Sequence, residues 1–254
     1  MSIKISIITA VYNNCSTVSH AIESVLSQDY PNIEYIIIDG KSTDGTVDII
    51  RKFEGKISKW VSEPDKGIYD AMNKGLELAT GDVIGLLNSD DFYENTSVIS
   101  DVASIFHAKN TDALYGDLLY VDAKDITKIV RYWKAKPYVV NTFLRGWMPP
   151  HPTFFVKKEI YQKYGKFNTS FKSAADYEFM LRVIHKHKIK LAYLPQILVR
   201  MRTGGVSNLS LKNRLMANKE DYLAWQLNEL KPRFYTMWLK PFRKLYQYFA
   251  RPKF

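Results

Sequence analysis

Residues 3–11 (IKISIITAV) and 33–38 (IEYIII) are dense in β-branched residues and show no clean alternation of apolar and polar positions. A strand with one wet face alternates, whereas a strand covered on both faces does not, so these two runs point to the interior of a parallel sheet. Each is followed by a helical pattern. Ser16 or Thr17 can cap a helix with Val18, Ala21, Ile22, Val25 and Leu26 on one face, ending before Tyr30-Pro31. A second helix is expected after Thr43-Asp44-Gly45, with Val47, Ile49, Ile50 and Phe53 inward; then a strand over 57–62, a helix over 68–79 and a strand over 83–87. This alternation predicts right-handed βαβ units and an α/β fold with a mostly parallel, doubly wound sheet. Ligands of such sheets lie beyond the carboxyl ends of the strands, and the polar clusters at 9–14, 39–44, 63–67 and 88–91 fall there.

After about residue 110 the rhythm changes. Segments 114–121, 126–133 and 153–156 read as antiparallel or mixed strands, interrupted by Pro137 and Pro149-Pro150. A helix over 174–187, a strand over 191–199 and helices over 210–230 and 234–249 complete the expectation. With no internal repeat and no low-complexity linker, one continuous domain over 1–205, made of a 1–110 and a 111–205 half, with a C-terminal helical extension over 206–254, is the simplest division.

The charge is unevenly distributed. Residues 1–120 hold 9 basic and 18 acidic residues against 27 and 8 in the remainder, net −9 and +19. An acidic half suits a divalent cation and a basic half suits a polyanion, although solubility explains a charge excess equally well. A single cysteine, Cys15, excludes an internal disulfide and a cysteine zinc cluster, and fits a reducing cytoplasm. The N-terminal apolar stretch is broken by Tyr12-Asn13-Asn14 too early for a signal peptide, and no run of about 20 apolar residues occurs, so neither secretion by that route nor a membrane span is expected.

Asn88-Ser89-Asp90-Asp91 directly follows a buried strand. Adjacent carboxylates repel, and a hard divalent ion such as Mg²⁺ or Mn²⁺ relieves that while bridging to a phosphate; a polar turn with Asp91 starting a helix is the alternative. Asp39, at the end of the second run, can accept hydrogen bonds from a base or ribose, or serve the turn chemistry of Gly40-Lys41-Ser42. Lys66, in Asp65-Lys66-Gly67, can meet a phosphate or sit in a solvated turn. Four polar strand ends without a G-x-G-x-x-G loop suggest nucleotide binding without the dinucleotide fingerprint.

In order, Thr9-Ala10-Val11-Tyr12-Asn13, Asp39 with Ser42-Thr43-Asp44-Gly45, Asp65-Lys66-Gly67-Ile68-Tyr69-Asp70-Ala71-Met72-Asn73-Lys74-Gly75, Gly81-Asp82 and Asn88-Ser89-Asp90-Asp91 resemble the family 2 glycosyltransferases of GT-A fold. The likeness spans roughly residues 3–205 and is nearest to the branch that builds bacterial O-antigen and capsular polysaccharides. It implies an inverting transferase that uses a nucleotide-diphospho sugar, with uridine diphosphate as carrier, and Mn²⁺ or Mg²⁺. Carried over by residue, Thr9, Tyr12, Asn13 and Asp39 would surround the nucleotide, Lys66 would lie near the base or diphosphate, and Asn88 and Asp90 would occupy the Asp-x-Asp site. Asn88 replaces the first aspartate, which leaves Asp90 and Asp91 both open as the metal ligand.

The resemblance also places His151-Pro152-Thr153-Phe154-Phe155 and Ala174-Ala175-Asp176-Tyr177-Glu178 on the acceptor side. Asp176 is the candidate base, since a carboxylate with an ordinary pKa of about 3.9 is ionised and ready to take a hydroxyl proton; an N-cap is its alternative. Glu178, two residues on, orients that neighbourhood or pairs with Arg182. His151 can approach the metal or acceptor, or be structural. Arg200 and Arg202, before Gly204-Gly205, have the composition of a lid over donor phosphates or of a surface turn.

Residues 231–254 carry Lys231, Arg233, Lys240, Arg243, Lys244, Arg251 and Lys253 without an acid, interleaved with Trp238, Phe242, Leu245, Tyr246 and Phe249. This suits either the anionic inner face of the cytoplasmic membrane, where a lipid-diphosphate-linked saccharide acceptor would be met, or a helix packing its aromatics on the core. Two other classes share part of this pattern. Sugar-phosphate nucleotidyltransferases resemble this architecture but have an N-terminal Gly-rich loop with an arginine, which 8–13 lacks. A nucleic-acid-binding protein would use the basic half, yet no recognised module appears, so no nucleic acid is expected.

Overall fold

The computed structural model describes residues 2–204 and 211–252. The first half runs β1 (Ile5–Val11), α1 (Val18–Leu26), β2 (Ile33–Asp39), α2 (Thr46–Lys52), β3 (Lys59–Ser62), α3 (Ile68–Leu78), β4 (Val83–Leu86), β5 (Phe92–Tyr93) and α4 (Val98–Ala108). The second half runs β6 (Ala113–Val121), β7 (Ile129–Trp133), β8 (Phe155–Lys157), α5 (Lys158–Tyr164), α6 (Ala175–Met180), β9 (Leu191–Arg202), α7 (Leu211–Leu227) and α8 (Thr236–Phe249).

Among the described residues one sheet joins both halves, in the order β3-β2-β1-β4-β8-β6-β9-β5, with β7 on β6. The pairs β1–β2, β2–β3 and β1–β4 are parallel, which brings the ends of four strands to one edge. Beyond β4 the sheet is mixed: β8 runs antiparallel to β4 and β6, β5 antiparallel to β9, and only β6–β9 is parallel. The parallel first half and the mixed second half match the change of rhythm expected after about residue 110.

The missing alternation in β1 and β2 has a direct cause. Ile5, Ile7, Tyr35 and Ile37 pack with α1 and α4 on one face, and Ile8, Ile36 and Ile38 pack with α3 and α6 on the other. Each fully buried isoleucine contributes roughly 1.5–3 kcal/mol, so both faces must stay covered. Three elements lay outside the sequence expectation: β5, α4 and α5. α4 opens with the β-branched pair Val98-Ile99, poor in helix propensity, and is held by burial of Val98, Ile99, Val102 and Phe106. β5 and α5 are too short to carry a period. The helix expected over 174–187 is α6 followed by a wider π-helical turn, Leu181–Lys186.

At the sheet edge opposite the polar loops, Glu34 is 4% exposed. Ser6 and Thr80 hydroxyls donate to it at 2.6 and 2.8 Å, the Thr80 N–H at 2.7 Å and Lys59 Nζ at 3.2 Å. Burial alone would lift its pKa, but these donors outweigh it and hold the carboxyl at about 2. A depressed acid stabilises the fold above its unfolded pKa, and that stability is lost as pH falls from about 4.5 toward 2; the shift corresponds to about 3 kcal/mol. Glu34→Gln should therefore lower the unfolding free energy by about 2–3 kcal/mol at pH 7 and flatten its decline below pH 4.5, read by urea unfolding across pH. An unchanged pH slope would contradict this.

Candidate active site

The four parallel strands deliver their loops to one edge, and side chains lock these loops together. Asn13, in left-handed backbone conformation (φ 46°), donates its N–H to Ser42 Oγ at 2.8 Å and accepts from Thr43 N–H through Oδ1 at 2.8 Å. Asn14 donates to Ser89 Oγ at 2.8 Å, and Thr17 donates to the Ser89 carbonyl at 3.0 Å, tying the first loop to 88–91. Gly40 is required by close approach: a Cβ there would lie 2.4 Å from a carboxylate oxygen of Asp65 and 3.2 Å from the Tyr12 ring.

Asp39 is fully buried. Its Oδ2 accepts from Ser62 Oγ at 2.6 Å and Ser42 N–H at 3.0 Å, whereas Oδ1 has no partner. A buried acceptor without a donor is costly, and a ligand N–H at this place would satisfy it. Tyr12 and Lys66 are exposed at the rim, and the Lys66 N–H donates to Asp70 at 3.0 Å. Thr9 does not reach the rim: it is fully buried and its hydroxyl lies 3.2 Å from the Tyr35 hydroxyl. Its side chain belongs to the core, which corrects the expectation of a nucleotide contact through that hydroxyl.

The adjacent carboxylates after β4 separate. Asp91 is fully buried; its Oδ2 accepts from the Asn88 amide at 2.9 Å and its Oδ1 has no partner. Asp90 is partly exposed. Burial, then the charge of Asp90, push the Asp91 carboxyl well above the usual range, and burial also raises Asp90 against the pull of Arg202 and His151. Among the described residues no group of three His, Cys, Asp or Glu side chains converges. A one- or two-carboxylate site with an orphaned oxygen still fits Mg²⁺ or Mn²⁺, which complete their shells with water and substrate phosphate.

Neither arginine of the expected lid is free. Both lie in β9: Arg200 makes a two-pronged ion pair with Glu94 (2.6 and 2.7 Å), and Arg202, 8% exposed, donates to the Asp90 carbonyl and lies 2.6 Å from His20 Nδ1. Burial and then Arg202 hold the His20 pKa down, so the ring is neutral and Nδ1 accepts. Arg202 braces the 88–91 loop and Arg200 the residue after β5; the rest of the lid segment, 205–207, lies outside the described residues.

The acceptor-side expectation divides in the same way. Asp176, near the start of α6, receives the Tyr69 hydroxyl at Oδ1 (3.1 Å) and faces His151 Nδ1 from Oδ2 (3.4 Å). The same His151 is near enough to Asp90 to lower its pKa. Glu178 is 4% exposed and both its oxygens are taken, by Arg182 at 3.0 Å and by Asn228 beyond α7 at 2.9 Å. It anchors the C-terminal segment and pairs with Arg182 as expected, but is not available to an acceptor. Asn14, His20 and Tyr69 carry no expected role in the site from sequence, and Thr17 only that of a helix cap. Tyr69 had a usable signal, since it lies within the 65–75 motif; the site contacts of the other three are identified only by their partners.

The sequence profile described as Glycosyl transferase family 2 matches residues 6–179. An uncharacterized glycosyltransferase of Mycobacterium tuberculosis is 32% identical over 180 residues, covering 70% of this chain and 68% of that protein. The Escherichia coli UDP-Glc:alpha-D-GlcNAc-diphosphoundecaprenol beta-1,3-glucosyltransferase WfaP is 32% identical over 232 residues, covering 89% and 85%. Among solved structures, S. aureus TarS 1–349 in complex with UDP-GlcNAc superposes with a TM-score of 0.70 at 19% identity, over 89% of this chain and 65% of that one. This chain spans 40% of the longer TarS chain. The mannosyltransferase PcManGT from Pyrobaculum calidifontis, in complex with GDP-Man and Mn²⁺, superposes with a TM-score of 0.66 at 17% identity, over 100% and 77%.

Proposed function

The chain belongs to glycosyl transferase family 2 and has the GT-A fold, and from this premise we propose that it is an inverting, metal-dependent hexosyltransferase acting in bacterial surface polysaccharide assembly. The donor is a UDP-hexose or UDP-N-acetylhexosamine, and the acceptor a lipid-diphosphate-linked saccharide met at the inner face of the cytoplasmic membrane. Support for the acceptor class comes from the named activity of WfaP, and for the donor class from the UDP-GlcNAc in TarS. Residues 1–205 would carry catalysis and 206–254 would be an accessory extension.

One observation carries the reading: Tyr69, three residues after Lys66 at the start of α3, donates to Asp176 at 3.1 Å, and His151 lies 3.4 Å from the same carboxylate, so the acceptor-side carboxylate is joined to the nucleotide-side edge. At that edge Asp39 Oδ1 would accept from the base, with Tyr12, Asn13, Lys66 and Asn88 around the nucleotide. Asp90, with Asp91 behind it, would hold Mn²⁺ or Mg²⁺, and the bound ion supplies positive charge against the departing diphosphate. Asp176 takes the acceptor hydroxyl proton as that oxygen attacks the anomeric carbon. The new C–O bond forms on the face opposite the diphosphate, the old bond breaks toward the phosphate, and the configuration inverts. Tyr69 holds Asp176 and His151 positions its second oxygen.

A donor-hydrolysis screen over UDP-, GDP- and dTDP-sugars with Mn²⁺, Mg²⁺ or chelator tests the reading. Metal-dependent release of UDP from one sugar class is the expected outcome. Turnover undiminished in excess chelator, or hydrolysis confined to GDP- or dTDP-sugars, would overturn it.

A further inference from the structure

The C-terminal helix α8 is mounted inside out. Trp238, Phe242, Leu245 and Phe249, spaced four, three and four residues apart, form one helical stripe, and they are 71%, 61%, 56% and 82% exposed. Phe234, just before the helix, is 90% exposed. The opposite stripe, Thr236, Lys240, Arg243 and Gln247, is polar, and Thr236 and Gln247 are buried. An isolated helix of this pattern would turn its aromatics inward.

Its seat forbids that rotation. Lys240 Nζ makes a 2.6 Å ion pair with the buried Asp221 of α7 and stands 3.6 Å over the Tyr177 ring. Thr236 Oγ1 donates to the Leu144 carbonyl at 2.6 Å. Gly146, in left-handed conformation, lets the α8 backbone approach so closely that a Cβ there would lie 2.5 Å from Lys240 N. Rolling the aromatics inward would carry the Lys240 ammonium away from the buried Asp221 carboxylate and from the Tyr177 ring, and would break the Thr236–Leu144 hydrogen bond. The packing alternative for these aromatics is thereby set aside, and Lys240 leaves the set of cations open to an external partner.

The cations that remain flank the stripe. Lys231 and Arg233, just before α8, and Arg251, just after it, are exposed, and among the described residues none of the three pairs with a carboxylate. Among the described residues no helix is long and apolar enough to cross a membrane. A row of tryptophan, phenylalanine and leucine bordered by Lys and Arg matches the interfacial zone of a bilayer, where rings sit among the acyl chains and cations meet phosphate headgroups.

We infer that the outward face of α8, from Phe234 to Phe249 with Lys231, Arg233 and Arg251 flanking it, is a docking surface for an anionic phospholipid bilayer. The helix lies in the plane of the interface and does not span it. Lys240 on the Tyr177 ring ties α8 to α6, the helix that carries Asp176; the docking itself does not rest on the proposed function.

The full chain is tested by flotation with vesicles of equal parts phosphatidylcholine and phosphatidylglycerol, and with phosphatidylcholine alone. Binding to the anionic vesicles at low salt, weakened in high salt, is expected, with Trp238→Glu/Phe249→Glu reducing it more than about tenfold at unchanged thermal unfolding midpoint. Should that variant fail to fold, Lys231→Gln/Arg233→Gln/Arg251→Gln must weaken low-salt binding instead. The inference is overturned if the intact chain ignores anionic vesicles at low salt or binds neutral ones equally, or if neither folded variant binds less. It also falls if the chain is a dimer that the aromatic variant dissociates and that does not float, since a second copy would then cover the face. None of these readouts needs a donor sugar, so their failure is distinct from failure of the proposed function.

Discussion

Replacing Asp176 by asparagine is expected to cut turnover by about 10²–10⁴-fold while donor affinity stays within about twofold. The amide is isosteric, so it can still receive the Tyr69 hydroxyl and contact His151, but it cannot take a proton from the acceptor. Asp176 sits on α6 rather than on the nucleotide-side loops of β1, β2 and β4, which is why binding and chemistry should separate at this residue. Single-turnover kinetics combined with calorimetric titration of the donor reads both quantities. Parallel loss of donor affinity would make Asp176 a binding residue, and near-normal turnover would remove it from the mechanism.

Asp90→Asn should weaken metal-dependent UDP binding by about 10²-fold, and Asp91→Asn by less. Asp90 is the partly exposed member of the pair, while Asp91 is fully buried behind it, where its Oδ2 accepts from the Asn88 amide. The stability signs differ from the usual carboxylate case. A folded-state pKa raised by burial means that the ionised form opposes folding once pH exceeds the unfolded value. Asp91→Asn should therefore be no less stable than the parent at pH 7. Calorimetric titration of UDP with Mn²⁺, alongside thermal unfolding, distinguishes these effects. Unaltered metal-dependent binding in Asp90→Asn would displace the metal from this site.

Much of this site was legible because it depends on short-range pattern. A polar loop at the end of an apolar strand of a parallel sheet must sit on the ligand-binding edge, so Asp39, Asn88 and Asp90 could be named from their position in the chain. Arg200 and Arg202 could not be placed that way. Their partners, Glu94 and the Asp90 carbonyl, lie more than a hundred residues earlier in the chain and meet them across the β5–β9 pairing and the adjoining loop. Composition suggested mobile guanidiniums, and register made them braces. Thr9 failed for a related reason: residues on a doubly covered strand face one of two cores, and here its hydroxyl meets Tyr35.

What the sequence determined by itself is the doubly covered first half of the sheet, the edge where ligands gather and the identity of the candidate carboxylates, because strand burial and loop polarity are written in runs of neighbouring residues. Tertiary structure decided which member of each close pair stays accessible: Asp90 is partly exposed over buried Asp91, and Asp176 is partly exposed while both oxygens of Glu178 are consumed by Arg182 and Asn228. It also decided which way α8 faces. An amphipathic pattern states only that a helix has two faces, and the buried Lys240–Asp221 pair, formed with a different helix, selects the polar face for the interior. Pairwise contacts between distant segments carry that choice, and they exist only once the chain has folded.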